Sequence, residues 1–263
     1  MKNMFTSLVV TLFLISSAIA QEFNYLPYSS CTEIIKHTAF TLSYIERYEQ
    51  PEWVAYKLTR DMLDGSMKRT NKFTPDTLVS TGSATAKDYE KSGYDKGHLC
   101  PAADMKSSPV LMKECFFMSN MSPQEPSFNR GVWSKLEELV RTWAMQDSLL
   151  YVATGPIFRD SMKFIGKKNR VAVPWGFYKV ILDYRKGHWP KAIGFILPNC
   201  GTTDSLIHFT VSVDSVEKVT GIDFFPNLPD IIERSVECSY DLVEWNLAPV
   251  ISKKDQDTYN ICR

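Results

Sequence analysis

The sequence predicts a single α+β domain, and three observations carry that expectation. Short runs rich in β-branched and aromatic residues recur along the chain, one long segment has a clear helical period, and no linker-like shift in composition separates them. The 263 residues are 44% hydrophobic and 13% aromatic, which is enough apolar surface to bury a substantial core.

Residues 1–20 read as a signal peptide. Lys2 precedes an apolar run over residues 8–15, and Ala18-Ile19-Ala20 supplies the small-x-small pattern that export peptidases cut after. The run is too short for a membrane span. The expectation is a secreted or periplasmic protein with no membrane association, whose mature domain covers residues 21–263. All six cysteines, Cys31, Cys100, Cys115, Cys200, Cys238 and Cys262, lie in that part, and an even count after an export signal allows up to three disulfides of unspecified pairing. A buried free thiol is an equal reading for Cys115, beside Phe116 and Phe117.

Residues 38–44 and 53–58 alternate well enough to be strands, parted by the charged turn Glu49-Gln50-Pro51. Residues 59–88 are polar and hold Pro75 and Gly82, so they read as loops, with a basic cluster Lys68-Arg69-Thr70-Asn71-Lys72 leading into Phe73. The stretch Tyr94-Asp95-Lys96-Gly97-His98 places a histidine after a glycine that permits a tight turn. Residues 101–108 cannot be a regular strand, whereas the apolar and aromatic residues 112–118 suggest a buried one running into Ser119-Asn120.

A helix is expected over residues 130–146. Val132, Leu136, Leu139, Val140 and Trp143 recur at three- and four-residue intervals and form one apolar stripe. Glu137 and Arg141 fall just outside it, on the flank that continues from Asn129 and Trp133. That spacing sets an amide, a carboxylate and a guanidinium along one edge of a buried helix. Residues 149–153, 170–173, 177–183, 191–197 and 207–213 then read as strands. Several are apolar on both faces, as suits a central sheet covered by helices. The tail from about residue 215 to 263 matches no recognisable pattern.

The 30 basic and 30 acidic residues cancel, so any polyanion must be held by a local basic patch rather than by overall charge. No phosphate-binding Walker loop, dinucleotide fingerprint, His-Glu-x-x-His or Cys-x-x-Cys occurs, which removes support for the corresponding nucleotide-binding, zinc and thiol-redox classes.

Asp95-Lys96-Gly97-His98, the run Ser119-Asn120-Met121-Ser122-Pro123-Gln124, and Asn129 with Glu137 and Arg141 occur in an order that resembles the DNA/RNA non-specific endonucleases, the endonuclease G-like ββα-metal nucleases. The resemblance runs from about residue 41 to 213 and implies a central mixed or antiparallel sheet flanked by helices. It implies His98 as general base and Asn129 as direct metal ligand. Glu137 would act in catalysis by holding the metal's waters, and Arg141 by stabilising the transition state at the phosphate. Arg69 and Lys96 match phosphate contacts, Asn120 matches an asparagine beside the active site, and Asp95 would orient the loop or His98.

The implied cofactor is Mg²⁺, with Mn²⁺ as a substitute, and the implied partners are DNA and RNA held through their phosphates and cut to leave 5′-phosphates. Lys96 stands where the family has arginine, which keeps the charge but loses the planar fork. A phosphodiesterase acting on nucleotides or small diesters is an alternative use of the same site. A catalytically silent binding protein is an alternative use of the scaffold. A homodimer and an inhibitor protein are left open.

Overall fold

The computed structural model describes residues 22–28 and 33–247. The signal peptide read at residues 1–20, and Cys31 and Cys262, lie outside the described residues.

Seven strands form the central sheet: β1 (Glu33–Lys36), β2 (Thr41–Ile45), β3 (Gln50–Thr59), β6 (Leu149–Ile157), β9 (Gly176–Asp183), β10 (Lys191–Pro198) and β11 (Thr210–Val211), in the order β1-β2-β3-β6-β9-β10-β11. Every pairing is antiparallel, which resolves the mixed-or-antiparallel expectation. Side chains alternate across β9: Phe177 and Ile181 enter the core on one face, and Tyr178, Val180 and Leu182 enter the core on the other. Both faces are covered, so these strands are apolar throughout.

The first face carries a second unit, in which β4 (Asp95–His98) pairs antiparallel with β5 (Met121–Gln124) and leads into a helical segment. A single turn, α3 (Pro126–Phe128), opens into a wide π-helical turn at Asn129–Trp133 before the main helix α4 (Ser134–Asp147) begins. The helix expected from residue 130 is thus interrupted at Gly131 (φ −107°, ψ −111°), and its regular part starts at Ser134. The predicted stripe does face the core: Val132, Leu136, Val140 and Trp143 are buried, and Leu139 is partly so. Ser148 ends the helix in a left-handed conformation.

Two predicted strands are corrected. Residues 112–118 form no regular strand: 112–114 complete a helix, α2 (Pro109–Glu114), which starts where Ser108 accepts a hydrogen bond from the Val110 N–H at 3.2 Å and Pro109 suits the first turn. The rest is a turn with an isolated bridge from Phe117 to Thr74. Met112 and Phe116 are still buried, so apolar content was read correctly and period was not. The 207–213 run is a 3₁₀ turn (Leu206–Phe209) with a two-residue strand, after which Ser212 caps α5 (Val213–Thr220). Within the 59–88 loop a short helix, α1 (Arg60–Leu63), also forms. Residues 171–173 pair as β8 (Val171–Val173) with β7 (Lys163–Ile165) in a small separate sheet.

The described part of the unassigned tail packs on both sides of the sheet. Helices α5 and α6 (Asp230–Glu237) place Val213, Val216 and Val236 in the core opposite α4, while Trp245 lies 4.6 Å from Trp143 of α4. Cys100 and Cys115 are buried free thiols and Cys200 and Cys238 exposed ones, so three disulfides do not form. No helix among the described residues is long and apolar enough to cross a membrane.

Candidate active site

Gly97 lies inside β4 rather than in the tight turn expected of it, and lets a side chain of β5 pack against its backbone. A Cβ there would stand 2.1 Å from the side chain of Gln124, a buried residue on β5. Close approach of the two strands brings His98 onto the inner wall of a cavity of about 530 Å³. The imidazole is only 6% exposed and is gripped edge-to-face by Phe116 at 4.8 Å, with Phe73 at 5.7 Å. Its Nε2 has no hydrogen-bond partner among the described residues. Burial, reinforced by the Arg69 charge, pushes its pKa down to about 3, so the ring is neutral and its basic nitrogen unprotonated near pH 7.

The π-helical turn presents Asn129 to the same cavity. Its Nδ2 donates to Asp95 Oδ2 at 2.9 Å, and Arg130 holds both oxygens of that carboxylate, at 2.9 Å and 2.6 Å. Burial alone would raise the Asp95 pKa, but the Arg130 and Asn129 hydrogen bonds hold it below the usual carboxylate range. Because the amide nitrogen is committed to Asp95, the Asn129 carbonyl oxygen is the end left to the cavity.

Glu137, one turn into α4, lines the cavity too, and behind it lies a buried charge network. Asp104 accepts hydrogen bonds from Tyr56 Oη and Arg141 Nη1, each at 3.1 Å. Lys179 projects from the middle of β9, 1% exposed, with its Nζ 4.7 Å above the Trp133 ring and no hydrogen-bond partner among the described residues. Burial, aided by Asp104, pushes the Glu137 carboxyl upward, while Lys179 and Arg141 oppose the shift. Burial lowers the Lys179 pKa against the pull of Glu137 and Asp104.

The rim is basic and aromatic. Arg69 stands 5.1 Å over Phe116, with its Nε donating to Asn71 Oδ1 at 2.7 Å, and Lys96 stands 4.9 Å over Phe73. Both line the cavity together with Arg130. Flat rings beneath two cations keep them at the cavity mouth, where their charged ends can meet an anion.

Of the residues singled out in the sequence, His98, Asn129, Glu137, Asp95, Lys96 and Arg69 share this cavity. Two do not. Asn120 is fully buried and spends its amide on backbone: it accepts from the Cys100 N–H at 2.9 Å and donates to the carbonyls of Cys100 and Cys115. Arg141 is turned onto Asp104 behind the wall, away from the position expected of a phosphate contact.

Sequence reasoning missed Asp104, Lys179, Arg130 and Phe116. A lysine amid the apolar run Gly176–Asp183 was the one signal that could have flagged Lys179.

Known proteins resemble the chain over most of its length. The family model described as DNA/RNA non-specific endonuclease matches residues 21–231. Endonuclease G, mitochondrial, from Bos taurus is 31% identical over 74% of this chain and 70% of its own length. Nuclease C1 from Cunninghamella echinulata var. echinulata is 37% identical over 74% of this chain and 84% of its own length. Nuclease EXOG, mitochondrial, from Danio rerio is 37% identical over 73% of this chain but 60% of its own length, so the chain spans about three-fifths of that relative.

A solved structure titled as the EndoG/EndoGI complex and the mechanism of EndoG inhibition superposes with a TM-score of 0.70 and 30% identity, covering 77% of this chain and 89% of that one. The antiparallel sheet with its ββα unit is therefore the ββα-metal nuclease fold. These relatives correct one expectation. Endonuclease G and Nuclease EXOG are mitochondrial by name, which overturns a secreted or periplasmic location. A lysine and a short apolar run are too generic among targeting segments to decide a compartment.

Proposed function

The chain belongs to the DNA/RNA non-specific endonuclease family and is thus a nuclease, a phosphodiester hydrolase, and from that premise we propose a Mg²⁺-dependent endonuclease that cuts both DNA and RNA at the His98 cavity, leaving 5′-phosphates. One observation carries the assignment of the site: the unpartnered Nε2 of a neutral histidine and the freed carbonyl oxygen of Asn129 line one cavity with a basic rim.

His98 Nε2 takes the proton of the attacking water. A pKa near 3 makes the free imidazole a weak base, but a phosphodiester anion drawn in by Arg69 and Lys96 offsets the repulsion from Arg69. The proton affinity of His98 therefore rises as substrate binds. Arg69, Lys96 and Arg130 orient the phosphate without touching base edges, so cleavage is indifferent to sequence and to the 2′-hydroxyl.

The residues fit a divalent cation. The Asn129 oxygen is a hard neutral donor fixed in direction by Asp95, and Glu137 lines the same cavity to accept hydrogen bonds from coordinated waters. A bound Mg²⁺ supplies charge neutralisation at the phosphoryl and leaving oxygens. Arg141 braces Asp104 and its charge favours the ionised Glu137 carboxylate, acting as a positioning residue. Asn120 ties the strand bearing His98 to the Cys115 turn in the same capacity. The EndoG/EndoGI neighbour supports an inhibitor protein as a second class of partner.

Plasmid and RNA cleavage by the purified chain, with Mg²⁺, with EDTA and with His98→Ala, tests the proposal. Cleavage of both polymers by wild type with Mg²⁺, lost in both controls, is expected. Wild type that cuts neither polymer but hydrolyses a small chromogenic diester would overturn the endonuclease reading.

A further inference from the structure

On the face of the sheet away from the cavity, α5 and α6 bring three carboxylates together. Asp214, Glu217 and Glu237 each offer one oxygen, and these lie within 4.8 Å of one another. Asp214 is exposed, Glu217 half-buried, and Glu237 only 6% exposed at the end of α6. Its Oε1 is buried with no hydrogen-bond partner among the described residues. A buried carboxylate oxygen that meets no donor is costly unless a cation or a proton satisfies it.

The charges acting on Glu237 are those of Glu217, Glu233, Asp214 and Asp223, all acidic, and with burial they push its carboxyl up to about 9. One oxygen of Glu217 accepts the Phe224 N–H at 2.7 Å, which anchors that side chain at the cluster's edge.

We propose that Asp214, Glu217 and Glu237 form a second divalent-cation site, of the calcium class, that ties α5 to α6. The donors are all carboxylate oxygens, with neither nitrogen nor sulfur among them, which selects a hard ion. Three carboxylates on two short helices form the irregular, adaptable cage that Ca²⁺ accepts more readily than Mg²⁺. The set differs in kind from the single amide and single carboxylate of the nuclease cavity, and Glu237 lies beyond residues 21–231, the part shared with the family. The site is therefore structural, and its loss leaves nucleic acid cleavage in Mg²⁺ unchanged.

Calcium binding by isothermal titration, with thermal unfolding in Ca²⁺ or EDTA, tests this on the full chain. Ca²⁺ is expected to raise the melting temperature of wild type and of Asn129→Ala equally, and to leave that of Glu237→Gln unmoved while its plasmid cleavage persists. Should Glu237→Gln fail to fold, Asp214→Asn, an exposed change, is expected to weaken Ca²⁺ binding roughly tenfold through the lost ligand charge. The proposal is overturned if Ca²⁺ leaves the wild-type melting temperature unchanged, if Asn129→Ala abolishes the shift, or if the carboxylate variants bind Ca²⁺ as wild type does.

Discussion

Asp95 accepts the Nδ2 hydrogen of Asn129 at 2.9 Å, and this one bond decides which end of the amide faces the cavity. An asparagine can rotate its side chain to offer either nitrogen or oxygen. The carboxylate removes that choice, and Arg130 keeps the carboxylate ionised and in place. Asp95→Ala is expected to lower the cleavage rate by about 10- to 100-fold and to raise the Mg²⁺ concentration needed for half-maximal rate. A Mg²⁺ titration of plasmid cleavage checks it, and an unchanged half-saturation point would count against the orienting role.

His98 links the site to acid stability. Its folded pKa of about 3 lies below an unfolded value of about 6.5, so its burial as a neutral ring supports the fold above pH 6.5 and that support drains away as pH falls towards 3. By pH 5 the loss is roughly 2 kcal/mol. Urea unfolding at pH 8 and pH 5 is expected to show wild type losing about that much more stability than His98→Ala across the interval. Equal losses would mean that the ring is not held neutral by burial.

Arg69 and Lys96 stand on Phe116 and Phe73 at the cavity mouth. If each neutralises one phosphate, Arg69→Ala and Lys96→Ala should each reduce the slope of log affinity against log salt by about 0.9 for duplex DNA. Binding is best measured in a His98→Ala background, where the nucleic acid stays intact. Lys96→Arg is expected to tighten binding at fixed salt by restoring a planar fork. Slopes that match the parent's would remove the two residues from the binding surface.

Lys179 is a buried cation whose value is electrostatic. Removing it in Lys179→Met leaves Asp104 and Glu137 facing each other's charge, at an expected cost of roughly 3–5 kcal/mol near neutral pH. Adding Glu137→Gln should recover part of that loss, and a double-mutant cycle by urea denaturation reads the coupling. A cycle that closes to zero would show that Lys179 acts through packing on Trp133 alone.

Local sequence carried much of this. The stripe on α4 is a consequence of helical period and could be read from neighbouring residues, whereas the steric demand at the glycine before His98 comes from Gln124 on another strand. Residues 112–118 defeated the same approach because a buried helix and a buried strand share composition. The deciding cue was the Ser108-Pro109 cap outside the apolar run. Asn120 matched a site pattern, yet its amide proved to be occupied by two backbone segments.

Residue types and their order were therefore enough to point to the α+β nuclease family that the comparisons show, and to single out His98, Asn129 and Glu137 as candidates. Whether those side chains converge, and in what state, depended on contacts between segments distant in the chain. Asp95 on β4 meets Asn129 in the π-helical turn before α4, and the Lys179 charge acts on Glu137 and Asp104 from the sheet core. Hydrogen-bond direction, burial and the pKa shifts they cause arise from what surrounds a group in space, and no local pattern of residues contains that information.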